Sequence, residues 1–333
     1  MERVLSGIRS TGKLHLGNYF GAMLNFVKLQ HERECYFFIA NLHALTTHPD
    51  PIELRKSVQG VLAEYIACGL NPDIASIYIQ SDVPEISELY TLLNMLAYKG
   101  ELEKTASFKE KIRKHNENIN AGLLTYPVLM AADILIHRAH KVPVGKDQEQ
   151  HLEMTRNFAN RFNHRYNTDF FPEPFAYNFT GELVKVPGLD GSGKMGKSEG
   201  DHNAIYLRDD DKTITKKIMR AKTDSGPTKE NSEKPEEIAN IFTLMELVSA
   251  PDTIDYFNDK WNDCSIRYGD LKKQLAKDMI DFVTPIREKI VDLDQHDQQL
   301  KEIAHQGAIK ARKSAQETLS GVRELMGLTS IWK

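Results

Sequence analysis

Three short apolar runs, each followed by a longer stretch of helical periodicity, set the limits on how this chain can fold. Residues 4–8 (Val-Leu-Ser-Gly-Ile), 35–40 (Cys-Tyr-Phe-Phe-Ile-Ala) and 76–80 (Ser-Ile-Tyr-Ile-Gln) contain no charged residue. Between them lie residues 17–30 and 51–68, whose apolar positions recur at helical spacing. Asp50-Pro51 supplies an N-cap and a first-turn proline for the second of these. A strand that is apolar along its whole length is covered on both faces, as in a parallel sheet with helices on either side. Two successive βαβ units therefore predict an α/β domain, whose ligands would lie beyond the carboxyl ends of the strands.

The pattern then changes. Residues 86–138 read as a helical insertion, with a highly charged segment, 101–114, that could project from the sheet. Residues 142–144 restore a short buried strand, and 147–166 return to helix. Residues 209–217 are polar and charged. From Glu236 onward every segment has helical periodicity. The stretch 223–235, rich in Ser, Thr, Lys and Pro, is the best linker. At 333 residues the chain can bury one large or two moderate cores. The division expected is a catalytic region over 1–200 and a helical region over 201–333.

No apolar run is long enough to span a membrane, and the N-terminus opens on a strand rather than on a basic, then apolar, leader. Three cysteines far apart in sequence, Cys35, Cys68 and Cys264, suit a reducing compartment, so a cytoplasmic location is expected. The net charge of −4 excludes wholesale nucleic-acid binding of the kind a strongly basic domain shows. An RNA partner would have to meet local basic patches. Candidates are Lys212, Lys216, Lys217, Arg220 and Lys222, then Lys310, Arg312, Lys313 and Arg323; a solvated helix face is the plainer reading of each.

Two motifs carry chemistry. The first apolar run leads into Arg9-Ser10-Thr11-Gly12-Lys13, then His15-Leu16-Gly17-Asn18 and an amphipathic helix. At such a strand–turn–helix the backbone amides and the positive dipole end favour an anion. Gly17 would let a ligand lie close to the backbone, and His15 and Asn18 add side-chain donors. The second motif is a Gly-rich loop over 187–200, containing Lys194-Met195-Gly196-Lys197-Ser198. Two lysines three residues apart with a neighbouring hydroxyl suit a mobile clamp on phosphate oxygens. The spacing is not that of a Walker A loop.

Together the two motifs resemble the HIGH and KMSKS signatures of class I aminoacyl-tRNA synthetases. Tyr126-Pro127-Val128-Leu129-Met130-Ala131-Ala132-Asp133, Val142-Pro143-Val144-Gly145-Lys146-Asp147-Gln148 and Gly100-Glu101-Leu102-Glu103 narrow the resemblance to bacterial-type tryptophanyl-tRNA synthetases. The resemblance implies a Rossmann-like catalytic domain and an all-helical C-terminal anticodon-binding region. It also implies a cytoplasmic homodimer acting on L-tryptophan, Mg²⁺-ATP and tRNA(Trp), with no protein-bound metal. The tryptophan carboxylate attacks the α-phosphorus of ATP and expels pyrophosphate, and the aminoacyl group then passes to tRNA. A carboxylate needs no catalytic base, so such a site works by orienting and by stabilising charge.

By this resemblance His15, Asn18, Lys194 and Lys197 are the catalytic donors. Arg9, Ser10, Thr11, Gly17, Gly145, Lys146, Asp147, Val186, Met195, Gly196 and Ser198 join them around ATP, with Asp147 on the ribose and the Val186 backbone on adenine. Lys109 and Lys111 could approach the pyrophosphate. Asp133, in an otherwise apolar helix, is placed to accept the indole N–H, the ring's one polar atom. Leu5, Met130, Val142 and Val144 would wall the ring, Tyr126 and Gln148 would hold the ammonium group, and His43 matches a further pocket position. Arg9-Ser10-Thr11 stands where the family has Gln-Pro-Ser, Lys146 where it has Glu, and Gly196 where it has Ser. Some relatives carry four cysteines for an iron–sulfur cluster; Cys264 alone stands in that region, so no cluster is expected.

Three alternatives remain at this level: a tyrosyl-tRNA synthetase, a small-molecule nucleotidylyltransferase sharing the phosphate motif, and a silent RNA-binding paralogue. The helix around Asp133 disfavours the first, the long helical tail and paired lysines the second, and the intact His15, Lys194 and Lys197 the third.

Overall fold

The structure, a computed structural model, describes residues 2–10, 13–114, 119–145, 148–177, 185–191, 193–196 and 200–329. Thr11, Lys146, Asp147, Lys197 and Ser198, and the Lys111 side chain, lie outside the described residues.

The three apolar runs form strands β1 (Arg3–Arg9), β2 (Glu34–Ala40) and β3 (Ser76–Ile79), joined by β4 (Lys141–Val142) and β5 (Phe175–Ala176). All are parallel, in the order β3-β2-β1-β4-β5. The chain winds from β1 to one side and then returns to place β4 on β1's other flank. The order thus reverses between β1 and β4, where such a sheet opens a crevice at its carboxyl edge. Ser6 Oγ donates to the Pro143 carbonyl across this seam (3.3 Å).

Burial on both faces explains the unbroken apolar strands. Along β2, Cys35, Phe37 and Ile39 enter one core while Tyr36, Phe38 and Ala40 enter the other. The first core is completed by helix Pro51–Ala67 and by helices Glu236–Val248, Pro251–Asn262 and Tyr268–Gln295. The second is completed by helices Glu85–Asn94, Ala121–Ile136 and Glu149–Arg165. The last helix, Asp297–Leu325, covers the edge strand β3 and contributes to both. It comes close enough that a Cβ on Gly307 would stand 1.7 Å from the Ile77 carbonyl oxygen. Covering β3 in this way removes an open sheet edge.

Several expectations are refined. The first helix contains a π-helical turn, Tyr19–Met23, between Leu16–Asn18 and Leu24–Leu29. The strand expected over 76–80 ends at Ile79, because Gln80–Asp82 forms a 3₁₀ turn. The strand expected over 142–144 is Lys141–Val142. β5 was not expected, and the polar segment after residue 208 proves to be a helix, Asp211–Met219, capped by Asp210. The charged segment 101–114 is rooted on the body. Arg161 holds Glu101 with two bonds (2.7 and 3.0 Å) and lies over the Tyr98 ring.

Candidate active site

A cavity of about 540 Å³ opens at the carboxyl ends of β1 and β4. Leu5, Arg9, Asn18, His43, Tyr126, Met130, Asp133, Val142, Val144, Gly145 and Gln148 all line it. Residues expected to wall one ring and hold one amino acid are therefore brought together from β1, the turn after β2, the helix Ala121–Ile136 and the β4 exit. Gly7 also faces the cavity, and its lack of a side chain has a structural reason. It pairs with Phe38 across the ladder, and a Cβ there would stand 2.5 Å from the Phe38 ring.

At the floor, Asp133 is only 1% exposed. Its Oδ2 lies 2.8 Å from His43 Nε2, and its Oδ1 accepts from Gln80 Nε2 at 2.8 Å. Burial pushes the Asp133 carboxyl above the ordinary carboxylate range, against the opposing pull of His43 and Gln80. Gln80 is fully buried and uses its other end to accept from the Leu42 amide (3.0 Å). One amide side chain thus ties Asp133 to the segment carrying His43. Sequence reasoning missed Gln80; a polar residue closing an apolar strand was the available signal.

A second polar group includes two of the lining residues, Tyr126 and Gln148. The Tyr126 hydroxyl bonds His151 Nε2, and His151 Nδ1 faces Gln148 Oε1 at 3.0 Å. His151 is buried and was also missed. Its position three residues after Gln148, at a helix start, places the two on one face.

Of the residues expected to face phosphates, Asn18 lines the cavity. His15 and Asn18 form a capping box, with the His15 amide donating to Asn18 Oδ1 (3.2 Å). The His15 side chain is not among the lining residues. It is buried and packs edge-on against Tyr206, at 6.1 Å between ring centres. Ser10 is buried as well, and its Oγ has no partner among the described residues.

The lysine loop is anchored on the same turn. Residues 14–16 pair antiparallel with 205–207, through Leu16 N to Ile205 O and Leu207 N to Leu14 O, both 3.0 Å. The Met195 amide donates to Val186 O (2.8 Å), and the Met195 side chain is wholly buried in the first core. Its carbonyl oxygen lies 3.3 Å from where a Cβ on Gly17 would be. A Cβ there would stand closer still, 2.9 Å, to the His15 ring, so Gly17 makes room first for His15 and then for the loop. Val186 and Met195 act as the loop's roots, while Lys194 is exposed with no ion pair among the described residues; Gly196 is half-buried.

The two basic patches have different fates. Lys217 is buried and donates to Ala204 O (2.9 Å) and Asp209 Oδ2 (2.8 Å), so it belongs to the fold. Lys212, Lys216, Arg220 and Lys222 remain exposed. In the second patch Arg312 pairs with Glu85 (2.9 Å), Arg323 with Glu88 (3.2 Å), and Lys310 donates to Pro72 O (2.6 Å). Those three cations fasten the last helix to the body. No metal-sized cluster of three His, Cys, Asp or Glu occurs among the described residues, and no described helix is long and apolar enough to cross a membrane.

Over residues 1–284 the chain matches the family described as tRNA synthetases class I (W and Y). It is 59% identical over 327 residues to the tryptophan--tRNA ligase of Porphyromonas gingivalis, covering 98% of this chain and 99% of that one. Identity to the corresponding ligase of Caldanaerobacter subterraneus is 41% over 331 residues, with 98% and 99% coverage. Among solved structures, tryptophanyl-tRNA synthetase from Campylobacter jejuni complexed with ADP and tryptophan superimposes with a TM-score of 0.89 at 36% identity. That match covers 98% of this chain and 99% of the other.

Proposed function

The chain belongs to the class I tRNA synthetases of the tryptophan and tyrosine group, and we propose that the cavity between β1 and β4 is where its tryptophan is activated. Its reaction is that of a tryptophan--tRNA ligase: tryptophan and ATP give tryptophanyl-adenylate and pyrophosphate, and the tryptophanyl group then passes to tRNA(Trp). The observation that supports the placement is Asp133, a buried carboxylate facing the cavity among the apolar Leu5, Met130, Val142 and Val144. Indole presents one N–H donor, and a ring without it would leave unused the acceptor capacity that His43 and Gln80 do not fill. Leu5, Met130, Val142 and Val144 hold the ring, and the group formed by Tyr126, His151 and Gln148 receives the ammonium.

ATP, carrying Mg²⁺ as part of the substrate, lies along the β1 exit. Asn18 Nδ2 and Arg9 donate to its phosphates, and Gly145 with Asp147 holds the ribose. Lys194 and Lys197 close over the triphosphate from the loop, neutralising charge as pyrophosphate departs. His15 acts from beneath, by shaping the turn. The exposed Lys212, Lys216, Arg220 and Lys222 meet tRNA phosphates beside that loop, and the helical part beyond residue 200 reads the anticodon. A homodimer completes the assembly. Met95 (71% exposed) and Tyr98 (60% exposed) are large apolar side chains left open in the helical insertion, as a subunit contact requires. Reduced, largely buried thiols suit a cytoplasmic enzyme.

Pyrophosphate exchange with each amino acid in turn tests this reading. Exchange with tryptophan at a kcat/KM well above that with tyrosine is expected; equal or faster exchange with tyrosine would overturn it. Light scattering giving the mass of a single chain at micromolar concentration would remove the homodimer.

A further inference from the structure

The contact between the His15 turn and the segment leaving the lysine loop rests on very little backbone. Among the described residues, two hydrogen bonds, Leu16 N to Ile205 O and Leu207 N to Leu14 O, make the ladder. So short a two-stranded pairing is marginal by itself. At its end stands a carboxylate. Glu64 comes from the middle of helix Pro51–Ala67 and is 1% exposed. Its Oε2 accepts from the Leu14 amide (2.8 Å), and its Oε1 accepts from Arg208 Nε (2.6 Å). Leu14 is the end of one strand of the ladder, and Arg208 follows directly on the other.

We propose that Glu64 is a positioning residue for adenylate formation: a carboxylate staple that closes the ladder and so fixes the His15 turn against the lysine loop. It rests on the reading of the site given above. Arg208 extends the staple outward. Its Nη2 donates to Gly60 O (3.1 Å), and its guanidinium pairs with Asp294, near the end of helix Tyr268–Gln295. One arginine therefore joins the turn, the helix behind the sheet and the C-terminal helices.

The geometry favours positioning over simple stabilisation. A buried carboxylate of purely structural value is often replaceable by apolar packing. Glu64 instead takes one donor from each of the two segments that must stay in register for Asn18 and Lys194 to face the same triphosphate. Gly17 directly follows the ladder on one side, and the Met195 carbonyl of the loop lies 3.3 Å from where its Cβ would be, so a slip of the ladder alters that approach. Neither Glu64 nor Arg208 lines the proposed tryptophan cavity, so binding of the amino acid does not depend on the staple.

The test is ATP–pyrophosphate exchange on the full-length protein with saturating tryptophan, alongside the Kd for tryptophan from calorimetry. Glu64→Gln keeps the shape but puts an NH₂ against one of the two donors. Its kcat is expected to fall roughly tenfold or more, with a raised KM for ATP and a tryptophan Kd within about twofold of wild type. Asp294→Asn, at the solvent end where the side chain is 41% exposed, should show the same split in weaker form. A folded Glu64→Gln protein with wild-type kcat, or one that loses tryptophan affinity in step with kcat, would overturn the proposal. Should Glu64→Gln fail to fold, the same two outcomes in Asp294→Asn decide it. Wild-type exchange with tryptophan is the control, and its failure would count against the reading of the site rather than against the staple.

Discussion

His43 and Asp133 meet beneath the cavity, Nε2 to Oδ2 at 2.8 Å, while Gln80 holds the other carboxylate oxygen at the same distance. The carboxylate cannot rotate without breaking one of these bonds. Each oxygen has further lone-pair capacity, so a third donor can be accepted only in a direction the two neighbours leave open. On the proposed reading, the acceptor for the indole N–H is thus fixed before the ligand arrives, which reduces the ordering cost of binding.

That arrangement makes Gln80 a lever on tryptophan recognition. In Gln80→Leu the carboxylate loses one anchor and the Leu42 amide loses its acceptor. The KM for tryptophan should rise by about five- to thirtyfold, the equivalent of about 1–2 kcal/mol, with the KM for ATP near wild type. Exchange kinetics at varied tryptophan and fixed ATP provide the check, and an unchanged tryptophan KM would contradict the role.

Lys194 is exposed on a loop whose two roots, Val186 and Met195, are buried. Removing its cation should leave the loop's footing intact. On the proposed reading, in which its charge acts as pyrophosphate departs, Lys194→Ala is expected to lower kcat by about a hundredfold with an unchanged tryptophan Kd. Single-turnover adenylate formation isolates that step. Wild-type turnover would reduce the loop to a linker.

His137 offers a test in pH. It is fully buried, with Nε2 3.0 Å from the Tyr78 hydroxyl and Nδ1 3.3 Å from Ser314 Oγ. Burial, then the nearby Arg3, pulls its imidazole from the ordinary 6.5 down to about 3. The folded chain therefore binds fewer protons than the unfolded chain between those values. The contribution of neutral His137 is fully present above pH 6.5 and is lost as pH falls towards about 3. Relative to His137→Gln, wild-type unfolding free energy in urea should decline below pH 6.5 by at most about 1.4 kcal/mol per pH unit. A constant difference from pH 7 to pH 5 would contradict the assignment.

Much of this fold is legible because the sheet is buried on both faces. After Glu34, β2 is apolar and buried along its whole length, the mark of a strand covered on both faces. Two-residue β5 carries no such signal, since Phe175 and Ala176 are strand only by pairing with Lys141 and Val142. The π-turn at Tyr19–Met23 departs from helical spacing by a single residue per turn, within the tolerance of any periodicity. Among the residues that line the cavity, those that sit in motifs, such as Asn18, Tyr126 and Asp133, could be picked out as candidates from the sequence. Gln80 and Glu64 could not. Their partners are contributed by other strands and helices, and only the folded crossover sets them side by side. The burial of His15 was hidden for the same reason, as Tyr206 arrives from beyond the lysine loop.

Selectivity for the indole N–H tests the central claim most directly. ATP–pyrophosphate exchange would be measured with tryptophan and with 1-methyltryptophan, in the wild-type protein and in Asp133→Ala. The wild-type protein should favour tryptophan by roughly 1–3 kcal/mol in kcat/KM, more if the ionised carboxylate is the acceptor. Asp133→Ala should lose most of that preference while keeping its affinity for ATP and its circular dichroism. A folded Asp133→Ala protein that discriminates between the two amino acids as well as wild type would contradict the account.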